Sequence, residues 1–423
     1  MIEIVKSGEL KRDKRAHSIS NPAVVSAVAD IIANVSDRGD EALKEYTRRF
    51  DGFEPDGFEV SESDVEAAMR AVGADFVELL RRAAKNIEAF HRNQIGQGFV
   101  MTPRPGVTLG QRVTQLDKVG IYIPGGTAAY PSCVLMNCIP AKLAGVREII
   151  VVTPPSKNGK VDSGILAAAR IAGADRVFSI GGAQAIAALA YGTTTIPHVD
   201  KIVGPGNAYV AEAKRQVFGI VGIDMIAGPS DVLIIADLNA DPALVAADML
   251  SQCEHGSESA AVLITVDTEL ADMVSAEIET QLADLPRESA ARESIDKNGK
   301  IIITGSLDEA FDISNELAPE HIELFLDEPF KYLGLVKNAG SIFLGENSPV
   351  PLGDYYAGPN NTLPTSGTAR FTSPLSVDDF TKKSSFTYYS AEALREIGDD
   401  VVMFASMEGL DAHARSILKR INE

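Results

Sequence analysis

The chain has 423 residues, which is longer than one ordinary domain and indicates two or three. Hydrophobic residues make up 45% and charged residues 23%, the composition of a globular protein with a sizeable core. A formal net charge of −20 without a long basic run argues against nucleic acid or an anionic membrane surface as a partner. It leaves room for a small cationic or zwitterionic substrate.

The cysteines and the N-terminus indicate the compartment. Cys133, Cys138 and Cys253 cannot all pair and lack zinc-finger spacing, which favours a reducing, cytoplasmic setting. The first six residues contain no apolar signal core, and no stretch approaches the length of a membrane span.

The N-terminal part of the chain changes character twice. Residues 1–20 are polar and basic, and we predict an arm that is either a frayed terminus or a contact to a second subunit. Helical patterns follow from Asn21 to about His91, and strand patterns from about Val107 to Ile123. Pro124, Gly125 and Gly126 then end the last strand sharply.

The next segment has the pattern of parallel βα units. Residues 143–152 and 171–180 form a near-repeat in which a helix ends at glycine and a short buried strand follows. A further strand is predicted over 201–203. Loops after such strands commonly bind ligands, here 181–184 and 204–207. Neither loop is a G-x-G-x-x-G fingerprint, and ordinary turns remain the alternative.

From Ser230 onward the α/β alternation resumes, and the end of the chain differs from it. Strand patterns lie at 232–236, 261–266, 301–304, 322–326 and 341–344. We predict one α/β unit inserted in another, with an appended C-terminal segment. The predicted divisions are an N-terminal arm (1–20), a first α/β domain (21–120 and 232–370), a second, inserted α/β domain (121–231) and a C-terminal appendage (371–423).

A helix with two candidate metal ligands is predicted before Gly256. Asp241 is its expected N-cap, with Pro242 in the first turn. Gln252 and His255 are three residues apart and would project from one face. Because glutamine is a rare ligand, the pair alone is a weak metal signal, and a surface histidine beside a helix-end glutamine is the alternative.

Three further segments contain groups able to take part in chemistry. Glu320 and His321 place a carboxyl beside an imidazole at the start of a strand, a combination suited to proton transfer. Asp354 is an isolated carboxylate in a glycine-rich loop, and His413 begins the last helix. Gln252, His255, Asp354 and His413 form an N/O ligand set suited to a zinc-like ion, although each residue taken singly has a structural alternative.

Seven sequence runs carry a resemblance to a known family: Ile121–Gly126, Gly181–Ala190, Val203–Asn207, Ala227–Ser230, Ser251–Gly256, Pro319–His321 and Gly353–Tyr355. Together they resemble the histidinol dehydrogenase family, and the match covers essentially the whole chain in order. The resemblance implies two incomplete Rossmann-like domains, with small N- and C-terminal segments that intertwine a homodimer. It also implies that NAD is held without the G-x-G-x-x-G motif.

The same resemblance implies a set of site residues. One zinc ion per subunit would be held by Gln252, His255, Asp354 and His413 of the partner subunit, with Glu320 and His321 as the acid/base pair. The implied substrate contacts are Ser230, Gln252, His255, His321, Asp354, Glu408 and His413. The implied NAD contacts are Tyr122, Gln184 and Asn207. The sequence departs from the family's usual residues at Asn361, commonly histidine, and at Cys253, commonly alanine; neither is a ligand position.

The implied reaction belongs to histidine biosynthesis: the four-electron oxidation of L-histidinol to L-histidine through L-histidinal, with two NAD⁺ and one water. His321 would act as the base and Glu320 would activate the water. Because neighbouring residues of a regular strand point to opposite faces, both can serve one site only where the strand is irregular. Cys253 lies about 100° around the helix from Gln252, which argues against a covalent cysteine route.

Two alternatives to this function remain. One is a family relative that oxidises another amino or sulfonated alcohol with the same machinery. The other is a non-catalytic metal-binding module, which the presence of both Glu320 and His321 disfavours.

Overall fold

The computed structural model describes residues 2–9, 21–52, 56–125, 129–156 and 159–422. Most of the predicted N-terminal arm and Gly126 lie outside these residues. Every helix within them is too short or too polar to span a membrane. The strands are β1 (Glu3–Lys6), β2 (Phe99–Arg104), β3 (Val107–Gln115), β4 (Lys118–Tyr122), β5 (Glu148–Thr153), β6 (Arg176–Ser179), β7 (Lys201–Val203), β8 (Gly222–Ile223), β9 (Asp231–Ala236), β10 (Ala260–Thr265), β11 (Lys300–Ile303), β12 (His321–Phe325), β13 (Ser341–Leu344) and β14 (Thr381–Tyr389). The α-helices are α1 (Pro22–Arg38), α2 (Asp40–Asp51), α3 (Glu62–Ala71), α4 (Ala74–His91), α5 (Pro131–Ala144), α6 (Ser163–Ala172), α7 (Gly182–Tyr191), α8 (Ala208–Val217), α9 (Pro242–Cys253), α10 (Thr268–Leu282), α11 (Glu288–Asn298), α12 (Leu307–Leu317), α13 (Pro329–Tyr332), α14 (Val350–Leu352), α15 (Ala391–Met407) and α16 (Asp411–Ile421).

A six-stranded parallel sheet forms the first α/β unit, in the order β1-β11-β10-β9-β12-β13. Its strands are apolar on both faces because helices cover both sides. Val232 and Ile234 share a core with α9, α10 and α11, whereas Leu233 and Ile235 share one with α12. The strand order reverses between β9 and β12, which is the topological switch point of a Rossmann-type sheet.

A five-stranded parallel sheet forms the second unit, in the order β6-β5-β4-β7-β8. Its strand order reverses between β4 and β7, so the two sheets share one winding plan. Together they confirm the predicted fold class of two Rossmann-like α/β units.

The packing of α1 to α4 differs from the predicted domain division. These helices were assigned with residues 21–120 to the first unit, but they cover the five-stranded sheet: Leu43 shares a core with Phe178, and Ile87 shares one with Val151. Strand β4 is also central to that sheet, so the predicted boundary at residue 120 falls inside it. An amphipathic pattern identifies the apolar face of a helix but not the sheet that it meets.

The start of the chain also differs from the predicted arm. Residues 3–6 form β1, an edge strand parallel to β11, and Ile2 is buried beside it. A four-residue edge strand is too short to produce a recognisable alternation, which explains why the pattern suggested a free segment.

The C-terminal segment joins a small antiparallel sheet with the order β14-β3-β2. All nine residues of β14 pair with β3, so the predicted appendage is anchored to the stretch that precedes β4. Helices α15 and α16 pack on each other beyond this sheet.

Candidate active site

Glu320 and His321 lie at the amino edge of the six-stranded sheet, where β12 begins beside β9. Ser230 Oγ donates a hydrogen bond to Glu320 Oε2, and the Asp231 backbone N–H donates to the same oxygen over 3.2 Å. In return, the Glu320 backbone N–H donates to Asp231 Oδ1 over 2.8 Å. Both members of the predicted acid/base pair are buried, with relative exposures of 6% for Glu320 and 3% for His321. The start of β9 thus fixes the start of β12, the parallel strand beside it.

The irregularity predicted for this pair is present. Glu320 precedes β12, and the pairing of β12 with β9 begins only at His321. Glu320 is therefore outside the alternation of the strand, and its Oε2 lies 3.9 Å from His321 Nδ1. The carboxyl and the imidazole can consequently face the same space.

The ring of His321 is oriented by a backbone carbonyl. Its Nδ1 lies 3.0 Å from Asp231 O. A carbonyl oxygen can only accept, so Nδ1 carries the hydrogen and Nε2 of the neutral ring presents a lone pair. Nε2 is buried, lies 3.8 Å from Asp354 Oδ1, and has no hydrogen-bond partner within the described part of the chain. This nitrogen is therefore available to accept a proton.

The pKa values of the two groups are shifted by the same surroundings. Burial raises the pKa of Glu320 to about 7, against the opposing effect of His321. Burial alone would lower the pKa of His321, but the carboxylates of Glu320 and Asp354 outweigh it and raise that pKa to about 9. Both groups consequently exchange protons within reach of neutral pH.

Gln252 and His255 lie at the end of α9, but not on one helical face as predicted. The N-cap is Asp241, whose side chain accepts from Ala243 N, and the last helical residue is Cys253. His255 lies in the following turn and is exposed, whereas Gln252 is 1% exposed. The final turn is tightened, with the His255 backbone N–H donating to Gln252 O over 3.3 Å. The chain thus leaves the helix before Gly256, the residue that was expected to end it.

Asp354 lies in a π-helical turn, Gly353–Ala357, that returns the chain to His321. Asn361 donates from Nδ2 to the Asp354 backbone oxygen over 3.3 Å. Its Oδ1 is buried without a hydrogen-bond partner among the residues described. One of the two positions at which the sequence departs from the family pattern, Asn361, is thus in contact with a predicted ligand.

Glu408 and His413 lie apart from this cluster in the C-terminal segment. Glu408 caps the end of α15 and His413 lies in the first turn of α16; both residues are exposed. Among the described residues, no three His, Cys, Asp or Glu side chains gather as a metal-binding group. His255, Asp354 and His413 therefore do not converge within one chain.

The chemistry of the donors in one chain nevertheless fits a zinc ion. Gln252 Nε2 is a buried side-chain atom without a hydrogen-bond partner in the described ranges, as is His321 Nε2 beside Asp354. Buried polar groups are normally satisfied, so each of these two unpaired atoms can take a further ligand. Since the amide oxygen and nitrogen of Gln252 are exchangeable by a flip, its oxygen can occupy the same position.

The three predicted NAD contacts lie at the carboxyl edge of the five-stranded sheet. Tyr122 ends β4, and its hydroxyl accepts from the Gly182 backbone N–H over 3.1 Å. Gln184 is buried in the first turn of α7, over Gly182. Asn207 caps α8 by accepting from the Tyr209 and Val210 backbone N–H groups. The switch point between β4 and β7 lies among these residues.

Some residues that matter to the site were missed at the level of sequence. Asp231 touches both members of the acid/base pair, mostly through backbone atoms that leave no sequence signal. Glu323 and Asp248 place two carboxyls close together behind the site, and burial raises the pKa of both. The sequence offered one clue to Glu323: side chains alternate between the two faces along β12, and Glu323 is two residues beyond His321.

Two parallel sheets of Rossmann strand order, with a buried carboxyl and imidazole at the switch point of one of them, define an α/β enzyme able to move protons. The chain belongs to the histidinol dehydrogenase family, whose sequence model matches residues 14–421. Members of this family are oxidoreductases.

Individual relatives agree with this assignment over nearly their full length. The chain is 53% identical to the histidinol dehydrogenase of Listeria innocua over 411 residues, covering 97% of this chain and 96% of the relative. It is 55% identical to that of Bacillus cereus over 406 residues, covering 96% and 94%. A solved structure of histidinol dehydrogenase from Elizabethkingia anophelis superposes with a TM-score of 0.91 at 35% identity, covering 100% of this chain and 98% of that one.

Proposed function

We propose that the protein oxidises L-histidinol to L-histidine through L-histidinal, in a four-electron reaction that uses two NAD⁺. The observation that supports this most directly is the buried acid/base pair: His321 Nε2 is unpaired among the described residues, and Glu320 lies 3.9 Å from the same ring. Family membership supplies the substrate, because the relatives are named for histidinol.

The candidate site contains residues that we assign to the binding of zinc and of NAD. Gln252, His255, Asp354 and His413 of the partner subunit would hold one zinc ion, and Tyr122, Gln184 and Asn207 would contact NAD. When bound, zinc would supply an anchor for the amino and imidazole nitrogens of the substrate, and NAD⁺ would supply the hydride acceptor.

The residues of the chain itself account for the proton transfers. His321 Nε2 takes the hydroxyl proton of histidinol while the carbon loses a hydride. Glu320 then takes a proton from water as the water adds to the aldehyde, and protonated His321 gives its proton to the aldehyde oxygen, which completes the hydrate and restores the neutral imidazole. His321 serves again when the resulting hydrate loses its second hydride. Ser230 and Asp231 hold the Glu320 carboxyl in place throughout.

The protonation states required of the pair agree with their surroundings. With a pKa of about 7, Glu320 is partly ionised at neutral pH and can act as a base toward water. The pKa of His321, at about 9, is raised partly by the charge of Asp354. If Asp354 held a cation, its charge would raise the pKa of His321 less, which would favour the neutral imidazole that a base must be.

We also propose a homodimer, because two of the predicted site residues lie on the exposed C-terminal helices. Helix α15 exposes apolar side chains there, with Phe404 73% and Met407 85% accessible. Such a surface is typical of a protein contact. The three cysteines are free and buried, which supports a reducing, cytoplasmic setting.

The defining experiment counts reduced cofactor. Purified protein is incubated with a limiting amount of L-histidinol and excess NAD⁺, and NADH is measured by absorbance. About two NADH per histidinol is expected, because the aldehyde stays bound and is oxidised again. One NADH per substrate would indicate that oxidation stops at the aldehyde. Absence of turnover, with turnover of another amino or sulfonated alcohol, would identify a divergent relative.

A further inference from the structure

Lys214 and Asp224 form a buried ion pair beneath the loop 204–207. Their side chains are 2% and 1% exposed, and Lys214 Nζ contacts Asp224 Oδ1. Lys214 lies in α8, and Asp224 follows the edge strand β8. Because desolvating two charges is costly, a buried ion pair is weak evidence for a purely stabilising role.

Both side chains of this pair bind the backbone of one residue, Gly204. The Gly204 N–H donates to Asp224 Oδ2 over 2.7 Å, and Lys214 Nζ donates to the Gly204 carbonyl oxygen over 3.0 Å. The other carboxylate oxygen, Asp224 Oδ1, accepts from the Met225 N–H over 2.6 Å. Both polar backbone groups of Gly204 are therefore held by charged partners, which make the stronger kind of hydrogen bond.

Gly204 is also fixed against the neighbouring strand. Its φ is +108°, a value that disfavours side chains, and a Cβ at this position would lie 2.1 Å from the Tyr122 carbonyl oxygen. The residue is thus pressed against the end of β4, where Tyr122 is one of the expected NAD contacts. A shift of Gly204 would alter the spacing between Tyr122 and the loop.

The ion pair connects the beginning of the loop to α8, the helix that follows the loop. Asn207 caps α8 through Tyr209 N at 3.0 Å and Val210 N at 3.1 Å. Lys214 lies further along the same helix and reaches back to Gly204. The anchors are buried, whereas Asn207 at the tip of the loop is exposed. This arrangement is suited to holding an accessible loop rigid.

We propose that Lys214 and Asp224 are positioning residues for the dinucleotide, which fix Gly204 so that the loop presents Asn207 beside Tyr122. The proposal rests on the proposed use of NAD. Neither residue touches the cofactor in this role; both act through the loop backbone.

The test compares Lys214→Met with a matched control in the same unit. Lys142 likewise donates to a glycine carbonyl, Gly173 O at 3.3 Å, and lies 3.8 Å from Asp175, but its side chain is 51% exposed. That cluster adjoins the amino end of β6, the edge opposite the loop. NADH binding is measured by isothermal titration calorimetry on the zinc-loaded protein, with metal content and histidinol binding as further readouts.

Lys214→Met is expected to raise the dissociation constant of NADH by about tenfold or more, with metal content and histidinol binding unchanged, because a displaced loop misplaces the contacts that it carries. Lys142→Met is expected to bind NADH like the wild type. Lys214→Arg, which keeps a donor and the charge, is expected to recover part of the affinity.

The possible outcomes distinguish a failure of the positioning role from a failure of the proposed function. Wild-type protein that fails to bind NADH overturns the proposed function. Wild-type binding together with unchanged binding in folded Lys214→Met overturns the positioning role. Equal weakening in Lys142→Met would also overturn it, by showing a general loss of stability. Should Lys214→Met fail to fold, Lys214→Met/Asp224→Asn, which leaves no unpaired charge, is judged by the same criterion.

Discussion

A mixture of two inactive variants is expected to recover activity if the active site is shared between subunits. The variants are His321→Ala and His413→Ala. His321 is buried at the start of β12, whereas His413 is exposed on α16 and does not gather with His255 and Asp354 in its own chain. Each homodimeric variant therefore lacks one essential residue at both of its sites.

The expected magnitude follows from counting sites. In a heterodimer of the two variants, one site combines both defects and the other contains wild-type His321 and wild-type His413. Tandem purification through two tags keeps the mixed dimers, and one of the two sites in each is intact, so about half of the purified sites are intact. Loss of the general base lowers turnover of His321→Ala by about 10²–10⁴-fold, so recovered activity near one half stands far above that parent.

The assay uses two affinity tags, co-expression and tandem purification, followed by NADH formation from L-histidinol. A matched control pairs His321→Ala with Glu320→Gln, two changes on the same strand start, and is expected to stay inactive. If the first pair showed no recovery although heterodimers formed, His413 would have to act within its own chain or not at all. An active site shared between the two subunits would then be excluded.

Three single substitutions, each measured alone, test separate parts of the site. His321→Ala should lower kcat by about 10²–10⁴-fold with zinc content near wild type by elemental analysis, and retained turnover would remove His321 from its role. Cys253→Ala should keep turnover, because the thiol lies in the core of the six-stranded sheet and burial raises its pKa to about 11; loss of turnover with zinc still bound would reinstate a covalent cysteine. Burial and the Asp248 carboxyl raise the pKa of Glu323 from 4.5 to about 8, so the folded protein keeps a proton that the unfolded chain loses between these values. The free energy of unfolding should therefore fall as pH rises through this window. In denaturant unfolding at pH 5 and pH 8.5, Glu323→Gln should lose less of it, by up to about 4 kcal/mol, because each pKa unit is worth about 1.4 kcal/mol. The same pH dependence in both proteins would contradict this.

Most strands inside the two parallel sheets could be predicted because their signal is local, whereas β1 and β2 were missed. The pattern at 341–344 coincides with β13, and that at 322–326 lies one residue from β12. A buried parallel strand is a short apolar run between glycine, proline or polar residues, and such a run depends little on distant parts of the chain. The sequence signal for the N-terminus of α9 was equally local, because the side chain of Asp241 caps the helix that directly follows it.

Long-range relations could not be predicted in this way. Which sheet α1 to α4 cover depends on contacts between segments far apart in sequence, such as Leu43 with Phe178. The exit of His255 from α9 depends on a tightened last turn. Asp231 became visible as the residue that orients the acid/base pair only once β9 and β12 were seen side by side. The residue types indicated the chemistry, but only the fold showed their arrangement.

The candidate site residues lie at opposite edges of the two sheets, and this has an electrostatic consequence. At the carboxyl edge of the five-stranded sheet, α7 and α8 begin at the loops beside Tyr122, so their partial positive ends face that space. At the amino edge of the six-stranded sheet, α9 ends at Gln252 and Cys253, and α12 ends shortly before Glu320, so partial negative ends lie there. Pyrophosphate is therefore favoured at the first edge. A cation, such as a metal ion or a protonated amine, is favoured at the second edge, so the helix termini give the two edges opposite preferences for charge.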